Sequence, residues 1–273
     1  MSGAAVRDSA LSARGLAIGY AEETVVEGID FELPRGKTLA LVGSNGSGKT
    51  TLLKTAAALL PPVSGEMSVL GARPGAFPAR VAYLGQFQSS GFTLPLRAID
   101  VVRMARFASL GLTRRAGPED ERMVREAMEI MGVSDLANEG LRTLSGGQRQ
   151  RVFIAQALAR GADLILLDEP ASSLDGASRE TYRSILREAC ASGRSAAIAT
   201  HDVEEAAGCD YTMLLARKVV AFGESAAVLT AETLLSTFGV VARSDRSGLL
   251  VLEHEHGHDC LDPDHEGPED QRR

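Results

Sequence analysis

The chain has 273 residues, 44% hydrophobic and 24% charged, values that fit one large globular domain or one domain with a subdomain. Its net charge of −7 is concentrated in residues 253–273, which carry −6, so the rest has no excess of Lys and Arg for binding nucleic acid. Three cysteines indicate a reducing compartment without structural disulfides. Residues 1–14 lack the apolar centre of a signal peptide, and no apolar run reaches the ~20 residues of a membrane helix. We therefore expect a cytosolic chain that meets a membrane only through a partner.

The first part of the chain predicts strands followed by a helix. Apolar segments at Gly15–Tyr20 and Val25–Leu33 predict two strands, and the second ends at the turn Pro34-Arg35-Gly36. A continuous apolar run at Thr38–Val42 predicts a buried strand, and helical spacing follows a glycine-rich loop at Thr50–Leu60. Strand, glycine loop and helix form the context that a phosphate-binding loop requires.

The middle of the chain changes from strand to helix. Residues 79–85 predict another strand, and residues 89–142 predict an inserted helical subdomain with helices at Ile99–Phe107 and Glu119–Met131. Apolar residues then recur at helical spacing at Val152, Ile154, Ala155, Leu158 and Ala159.

Strands and helices alternate again towards the end. Residues 163–167 and 195–200 predict strands, and a helix near 178–191 separates them. This alternation predicts a parallel sheet with helices on both faces. The last twenty residues are polar, acidic and histidine-rich, and we expect them to be disordered unless metal is bound.

The glycine-rich loop after Thr38–Val42 has the composition of a phosphate-binding loop. Its glycines let consecutive N–H groups point at phosphates, and the following helix adds the partial positive charge of its N-terminus. We expect Lys49 to reach the β- and γ-phosphates of ATP and Thr50 to place its hydroxyl on Mg²⁺. A chance glycine-rich turn would lack this strand and helix context. The predicted ATP-binding residues here are Gly43, Ser44, Asn45, Gly46, Ser47, Gly48, Lys49, Thr50 and Thr51.

Two carboxylates follow the apolar run Leu164–Leu167. Ligand sites of open α/β sheets lie at the carboxyl ends of the strands, where Asp168 and Glu169 are expected. Asp168 is predicted to hold Mg²⁺ and Glu169 to act as the general base on the attacking water, a contribution of about 10²–10⁴-fold. Alone, the pair could be a helix cap; its place after a phosphate loop favours catalysis.

The segment Leu144–Gln148, which we call the signature segment, completes the set of motifs. With it, the chain resembles the nucleotide-binding subunits of ATP-binding cassette (ABC) transporters over about residues 12–240. The resemblance implies an α/β fold: a P-loop NTPase parallel sheet core, an antiparallel β subdomain and the inserted α-helical subdomain, with residues 241–273 as a C-terminal extension. It also implies that Ser145, Gly146, Gly147 and Gln148 face the γ-phosphate of ATP bound by a second copy of the chain. A helix-capping role of Ser145 is compatible with this use.

Other positions match the family one by one. Gln86 resembles the glutamine that senses Mg²⁺ and the attacking water; Gln88 is the alternative, and Gln86 is preferred because it directly follows a strand. Asp175 resembles the main carboxylate of a loop that crosses the dimer interface. His201 resembles the switch histidine that contacts the γ-phosphate, and Tyr20 the aromatic that stacks on adenine. A lone histidine or a strand tyrosine is more often structural, but their placement favours the functional interpretation.

The segments Phe92-Thr93-Leu94 and Val219–Gly223 are similar to those of zinc and manganese importer ATPases, although serine and glycine replace aromatic and acidic residues often found before the first. This similarity implies an ATPase that dimerises on a separate integral membrane permease, at the inner face of the cell membrane, with an extracytoplasmic metal-binding protein. The predicted cargo is Zn²⁺ first and Mn²⁺ second, an order that rests on the tail described next. An importer or exporter ATPase for a non-metal substrate and a soluble ABC ATPase stay open as alternatives.

The tail contains four of the five histidines and one cysteine. Imidazole and thiolate suit Zn²⁺, Cu or Ni²⁺ better than Mn²⁺. The alternative is a solvated acidic tail with incidental histidines. The candidate Zn²⁺ ligands are His254, His256, His258, Cys260 and His265.

Overall fold

A computed structural model of the chain describes residues 9–21, 23–86, 95–110, 115–238, 240–244 and 250–254. The chain divides into two compact units, residues 1–238 and 239–273. The predicted domain limits, 12–240 and 241–273, stay predictions.

A six-stranded sheet forms the centre of the first unit. Five strands are parallel, and the last is antiparallel to its neighbour. The predicted strands at Thr38–Val42, 163–167 and 195–200 are confirmed to within one residue, and all three strands are fully buried. The strand order is β5 (Val81–Leu84), β6 (Leu164–Asp168), β7 (Ser195–Thr200), β3 (Thr38–Val42), β8 (Tyr211–Leu215) and β9 (Val219–Glu224).

A three-stranded antiparallel sheet lies in the same unit. It has the order β2 (Glu23–Pro34), β1 (Ser9–Tyr20), β4 (Ser64–Val69). The predicted strand Gly15–Tyr20 is therefore the second half of a longer strand, and β4 is not predicted at all. The predicted α/β class with a parallel core and an antiparallel sheet is confirmed.

Alternating side chains of β6 divide the core into two parts. Leu164 and Leu166 pack with the antiparallel sheet on one face. Ile165 and Leu167 pack on the other face with residues of the helical region. This alternation follows from the two-residue repeat of a strand and explains why β6 is apolar on both faces from Leu164 to Leu167.

The helices of the first unit are α1 (Lys49–Ala56), α2 (Ala98–Leu110), α3 (Pro118–Ile130), α4 (Gly146–Ala159), α5 (Gly176–Ala191), α6 (Val203–Ala207), α7 (Ser225–Val228) and α8 (Ala231–Phe238). The prediction Thr50–Leu60 for the first helix is wrong at its end. Ala58 is left-handed, with φ of 58°, and the N–H groups of Leu59 and Leu60 turn back to the carbonyl of Lys54. This reversal satisfies carbonyls of the last turn and stops the helix.

A buried ion pair joins α2, α3 and the end of α4. The guanidinium of Arg106 contacts the carboxylate of Asp120 at 2.9 Å and donates to the carbonyls of Ala159 and Arg160. Asp120 also accepts from the N–H of Gly117 before α3. Three helices are thus tied to one charge pair.

The second unit contains an antiparallel hairpin, β10 (Val240–Ser244) and β11 (Leu250–His254). The candidate ligand His254 is the last residue of β11. The other candidates, His256, His258, Cys260 and His265, lie outside the described residues.

Within the described ranges, no helix is both long and apolar enough to cross a bilayer. Cys190 and Cys209 are free thiols. Burial raises the pKa of Cys190 to about 11 and that of Cys209 to about 12, so both are protonated at neutral pH.

Candidate functional site

The glycine-rich loop connects β3 to α1, and two of its glycines are required by shape. A Cβ on Gly43 would lie 2.1 Å from the carbonyl oxygen of Leu215. Gly48 has φ of 108°, and its Cβ would lie 2.4 Å from a methyl of Val26. No other residue fits these positions without displacing the chain. The loop is therefore in close contact with β2 and with the end of β8.

Lys49 begins α1 with its side chain buried in the loop. Its ammonium donates to the carbonyl of Gly43 at 2.7 Å and to that of Ser44 at 3.0 Å. Burial lowers the pKa of Lys49, while Glu169 and Asp168 act in the opposite direction. A cation is thus held at the centre of the loop.

The other predicted residues of the loop differ in exposure. Ser44, Asn45 and Gly46 are exposed, while Ser47 and Thr51 are buried. The hydroxyl of Ser47 is buried without a hydrogen-bond partner in the described part of the chain.

Asp168 ends β6 and is 1% exposed. One carboxylate oxygen, Oδ2, is buried and has no hydrogen-bond partner among the described residues. Burial raises the pKa of Asp168, and a hydrogen bond from Thr50 acts in the opposite direction. The structure therefore places a hydroxyl and an unsatisfied carboxylate oxygen side by side, the type of ligands that Mg²⁺ prefers.

Glu169 lies between Gln86 and His201. Its backbone is left-handed, with φ of 50°, and its N–H donates to the carbonyl of Ala199 at 2.9 Å. The amide of Gln86 donates to Oε2 of Glu169 at 3.4 Å, and Nδ1 of His201 lies 3.7 Å from Oε1. Of the two candidate glutamines, Gln86 meets Glu169, while Gln88 lies outside the described residues.

Tyr20, at the end of β1, does not belong to the core. Its side chain is 45% exposed, and the ammonium of Lys54 lies 5.9 Å from the centre of its ring. The exposed ring lies beside α1, the helix that the glycine loop opens.

The signature segment forms the N-terminus of α4. Ser145 accepts from the N–H of Gln148 at 3.2 Å, and the side chain of Gln148 accepts from the N–H of Ser145 at 2.8 Å. This capping box confirms the capping role of Ser145 and fixes the start of the helix. No hydrogen bond of the described residues joins Ser145–Gln148 to the glycine loop.

Asp175 caps α5. It accepts from the N–H of Ser178 at 2.8 Å, and this bond holds the pKa of Asp175 below its usual range. The carboxylate is exposed. Its predicted role at a dimer interface stays a prediction.

Gln150 makes a buried contact that was not predicted from the sequence. Its amide donates to the carbonyl of Pro170, directly after Glu169, at 2.8 Å. The available signal was a polar residue at helical spacing with Ile154 and Ala157, on the face of α4 that is buried.

Comparisons with known proteins fit this geometry. Residues 26–172 match the family model described as "ABC transporter". The chain belongs to this family and is one of its ATP-hydrolysing subunits. It is 34% identical to the manganese transport system ATP-binding protein MntB of Bacillus subtilis, over 81% of this chain and 89% of the relative. It is 35% identical to the zinc transport system ATP-binding protein TroB of Treponema pallidum, over 82% of this chain and 85% of the relative.

Solved structures agree with the fold. A chain in the inward-facing structure of an ABC transporter described as metal-chelate type matches 91% of this chain and 98% of its own length. Its TM-score is 0.74 and its identity 27%. The predicted family, fold class and ATPase activity are confirmed; the roles of individual residues stay predictions.

Proposed function

We propose that this chain hydrolyses ATP to drive the import of a divalent transition metal ion through a separate membrane permease, with Zn²⁺ as first cargo and Mn²⁺ as second. The observation that carries the proposal is the convergence of Gln86, Glu169 and His201 at the carboxyl ends of three neighbouring strands. This is the edge of an open α/β sheet at which ligands bind.

Binding of the ATP phosphates is assigned to the glycine loop. The N–H groups of the loop and the N-terminus of α1 attract the phosphates, and Lys49 supplies a full positive charge. Because Lys49 now donates to two loop carbonyls, it exchanges at least one of these bonds for a phosphate oxygen. Tyr20 offers an exposed ring for stacking on the adenine.

The oxygen ligands of the site fit Mg²⁺. Thr50 and Asp168 would hold the ion, with Gln86 as a further oxygen ligand, and the unpartnered Oδ2 of Asp168 supports this assignment. When bound, Mg²⁺ neutralises charge on the β- and γ-phosphates. Its positive charge would also offset the burial of the Asp168 carboxylate.

Glu169 is assigned as general base. Its carboxylate accepts a proton from a water molecule as the water oxygen attacks the γ-phosphorus and the bond to the β-phosphate oxygen breaks, releasing ADP. Gln86 orients this water by hydrogen bonding, and His201 donates to the γ-phosphate. The hydrogen bond from the Glu169 N–H to Ala199 fixes the base relative to β7 and so to His201.

A second copy of the chain completes the site in this proposal. Ser145, Gly146, Gly147 and Gln148 open α4, and the N–H groups of Gly146 and Gly147, which are not used by the capping box, suit the γ-phosphate held by the partner's loop. Asp175 lies exposed at the start of α5, available for the same interface. ATP then closes the dimer, hydrolysis reopens it, and the movement passes to an integral membrane permease at the inner face of the membrane.

The cargo assignment is supported by the relatives named for manganese and zinc transport. The order of the two metals rests on the tail, whose imidazole and thiolate groups favour Zn²⁺. An extracytoplasmic metal-binding protein would deliver the ion to the permease.

The test of the catalytic assignment is Glu169→Gln, which preserves size and removes the base. We expect kcat to fall by at least about 100-fold, the lower range for loss of a general base, while ATP binding persists and ATP-bound dimers accumulate. Steady-state hydrolysis and size-exclusion chromatography with ATP measure both. Glu129→Gln makes the same chemical change at an exposed site in α3 and should leave both unchanged. Normal turnover in Glu169→Gln would exclude Glu169 as the base.

The cargo is tested in cells that lack the gene, grown in metal-limited medium. We expect a selective fall in cellular zinc or manganese, restored by the wild-type chain and not by Glu169→Gln. Unchanged metals would reject metal import while leaving the ATPase assignment intact.

A further inference from the structure

We propose that Gln150 is a positioning residue that ties the signature segment of one subunit to the turn carrying Glu169 in the same subunit, and thereby couples the two ATP sites of a dimer. The inference rests on the shared-site arrangement of the proposed function. Gln150 has no part in the assignments made above.

The contact is a buried hydrogen bond between two distant parts of the chain. Gln150 is 1% exposed, and its Nε2 donates to the carbonyl oxygen of Pro170 at 2.8 Å. A carbonyl can only accept, so this position requires a donor. The other amide atom, Oε1, is buried without a partner among the described residues, so the Pro170 bond is the polar contact that orients the side chain.

A second contact joins the same two segments. A Cβ on Gly147 would lie 3.1 Å from the carbonyl oxygen of Ser173, so the start of α4 runs close against the turn. Leu144 and Leu174, which flank these positions, are buried in the same hydrophobic cluster. The signature segment and the turn after Glu169 therefore pack directly against each other.

The turn itself is closed on Glu169. The hydroxyl of Ser172 donates to the carbonyl of Glu169 at 3.0 Å. Pro170 has a fixed φ, which adds stiffness between Glu169 and the contact with Gln150. A shift of the Pro170 carbonyl is thus passed directly to the backbone of Glu169.

In the shared-site arrangement, Glu169 and the signature segment of one subunit act on different ATP molecules. Glu169 acts on the ATP in its own subunit's loop, whereas Ser145–Gln148 contact the ATP in the partner's loop. When the partner's ATP draws the start of α4 into place, Gln150 must carry Pro170 with it or leave a buried carbonyl without a donor. Each site then aligns its base only when the other site is closed.

The decisive variant is Gln150→Met, which retains length and apolar volume but lacks the donor. Gln150→Glu is the second variant, since it retains shape and places an acceptor against the Pro170 carbonyl. Gln156→Met is the matched control, because Gln156 lies on the same helix and its side chain makes no hydrogen bond to any residue that the structure describes. Three quantities are measured: kcat, ATP affinity of the single chain, and ATP-dependent dimerisation of each variant combined with Glu169→Gln.

We expect Gln150→Met and Gln150→Glu to lower kcat and to weaken ATP-dependent dimerisation, each by about tenfold, within the usual range of coupling between sites. ATP affinity of the single chain should change by less than about twofold, because the glycine loop is not part of the contact. Gln156→Met should match the wild type in all three.

A fall in only one of kcat and dimerisation would overturn the coupling, since Gln150 would then serve one segment alone. Equal losses in kcat and in ATP affinity would also overturn it, because they would indicate a smaller folded fraction. If the wild-type chain itself shows no ATP turnover, it is the proposed function that fails, and this outcome is recognised before any variant is compared.

Discussion

Buried charged groups have different surroundings at the carboxyl ends of the strands of the six-stranded sheet and in the helical region. At these strand ends, Oδ2 of Asp168 is buried without a hydrogen-bond partner among the described residues, and the Lys49 ammonium donates to two loop carbonyls. In the helical region, the buried guanidinium of Arg106 is matched by Asp120 and two carbonyls. A buried charge whose partners are complete is costly to disrupt, whereas a buried polar atom without a hydrogen-bond partner reduces stability and is suited to a ligand.

The largest effect is expected in the helical region. Arg106→Met leaves the Asp120 carboxylate buried without its cation and should lower the free energy of unfolding by about 3–5 kcal/mol. Urea denaturation followed by circular dichroism measures this loss. The double variant Arg106→Met with Asp120→Asn should recover part of it, because no charge is left unpaired. A loss below about 1 kcal/mol in the single variant would contradict the comparison.

An opposite and smaller effect is expected at Asp168. Burial raises its pKa above the ordinary 3.8, so between the two values the folded chain binds more protons than the unfolded chain, and stability falls as pH rises. Asp168→Asn removes the buried charge and should raise Tm at pH 7 by about 2–4 °C while abolishing ATP hydrolysis. The gain should shrink as pH falls through the raised pKa and vanish below 3.8, where aspartate becomes protonated in both states. Thermal scans without nucleotide at several pH values test this; a lower Tm for Asp168→Asn at pH 7 would contradict it.

The smallest effect is expected on the surface of α3. Arg122 pairs with Glu119 and Glu126, and all three side chains are exposed. Water and salt screen such pairs, so Arg122→Ala should change Tm by less than about 1 °C. A clear fall in Tm would show that an ion pair stabilises the chain even when it is exposed. Pairing of charges, without burial, would then explain the difference in stability between the two regions.

Parts of the fold can be predicted because a strand buried on both faces is a mostly apolar run, without the alternation of a half-buried strand. This holds for β3, β6 and β7. In contrast, β4 has only Met67 and Val69 buried, so its strand structure depends on pairing with β1, which its own composition does not indicate. The end of α1 depends on left-handed Ala58, a residue type that gives no such signal.

The candidate site could likewise be predicted in part from the sequence. Gln86, Glu169 and His201 come just after β5, β6 and β7, and these strands are neighbours in the sheet. Their meeting could therefore be predicted from motif order and parallel topology. The contact between Gln150 and Pro170 could not, because it joins a helix to a turn through one hydrogen bond and leaves no periodic pattern.

Because the backbone of Glu169 is left-handed, selection for stability and selection for ATP hydrolysis favour different residues at this position. An ordinary side chain at φ of 50° costs about 1–2 kcal/mol relative to the right-handed region, and glycine would avoid this cost. Under selection for heat resistance alone, position 169 would drift towards glycine or asparagine, and turnover would be lost with the carboxylate. Retaining glutamate there keeps the chain below the stability that its fold could reach, at the residue proposed to act as the general base.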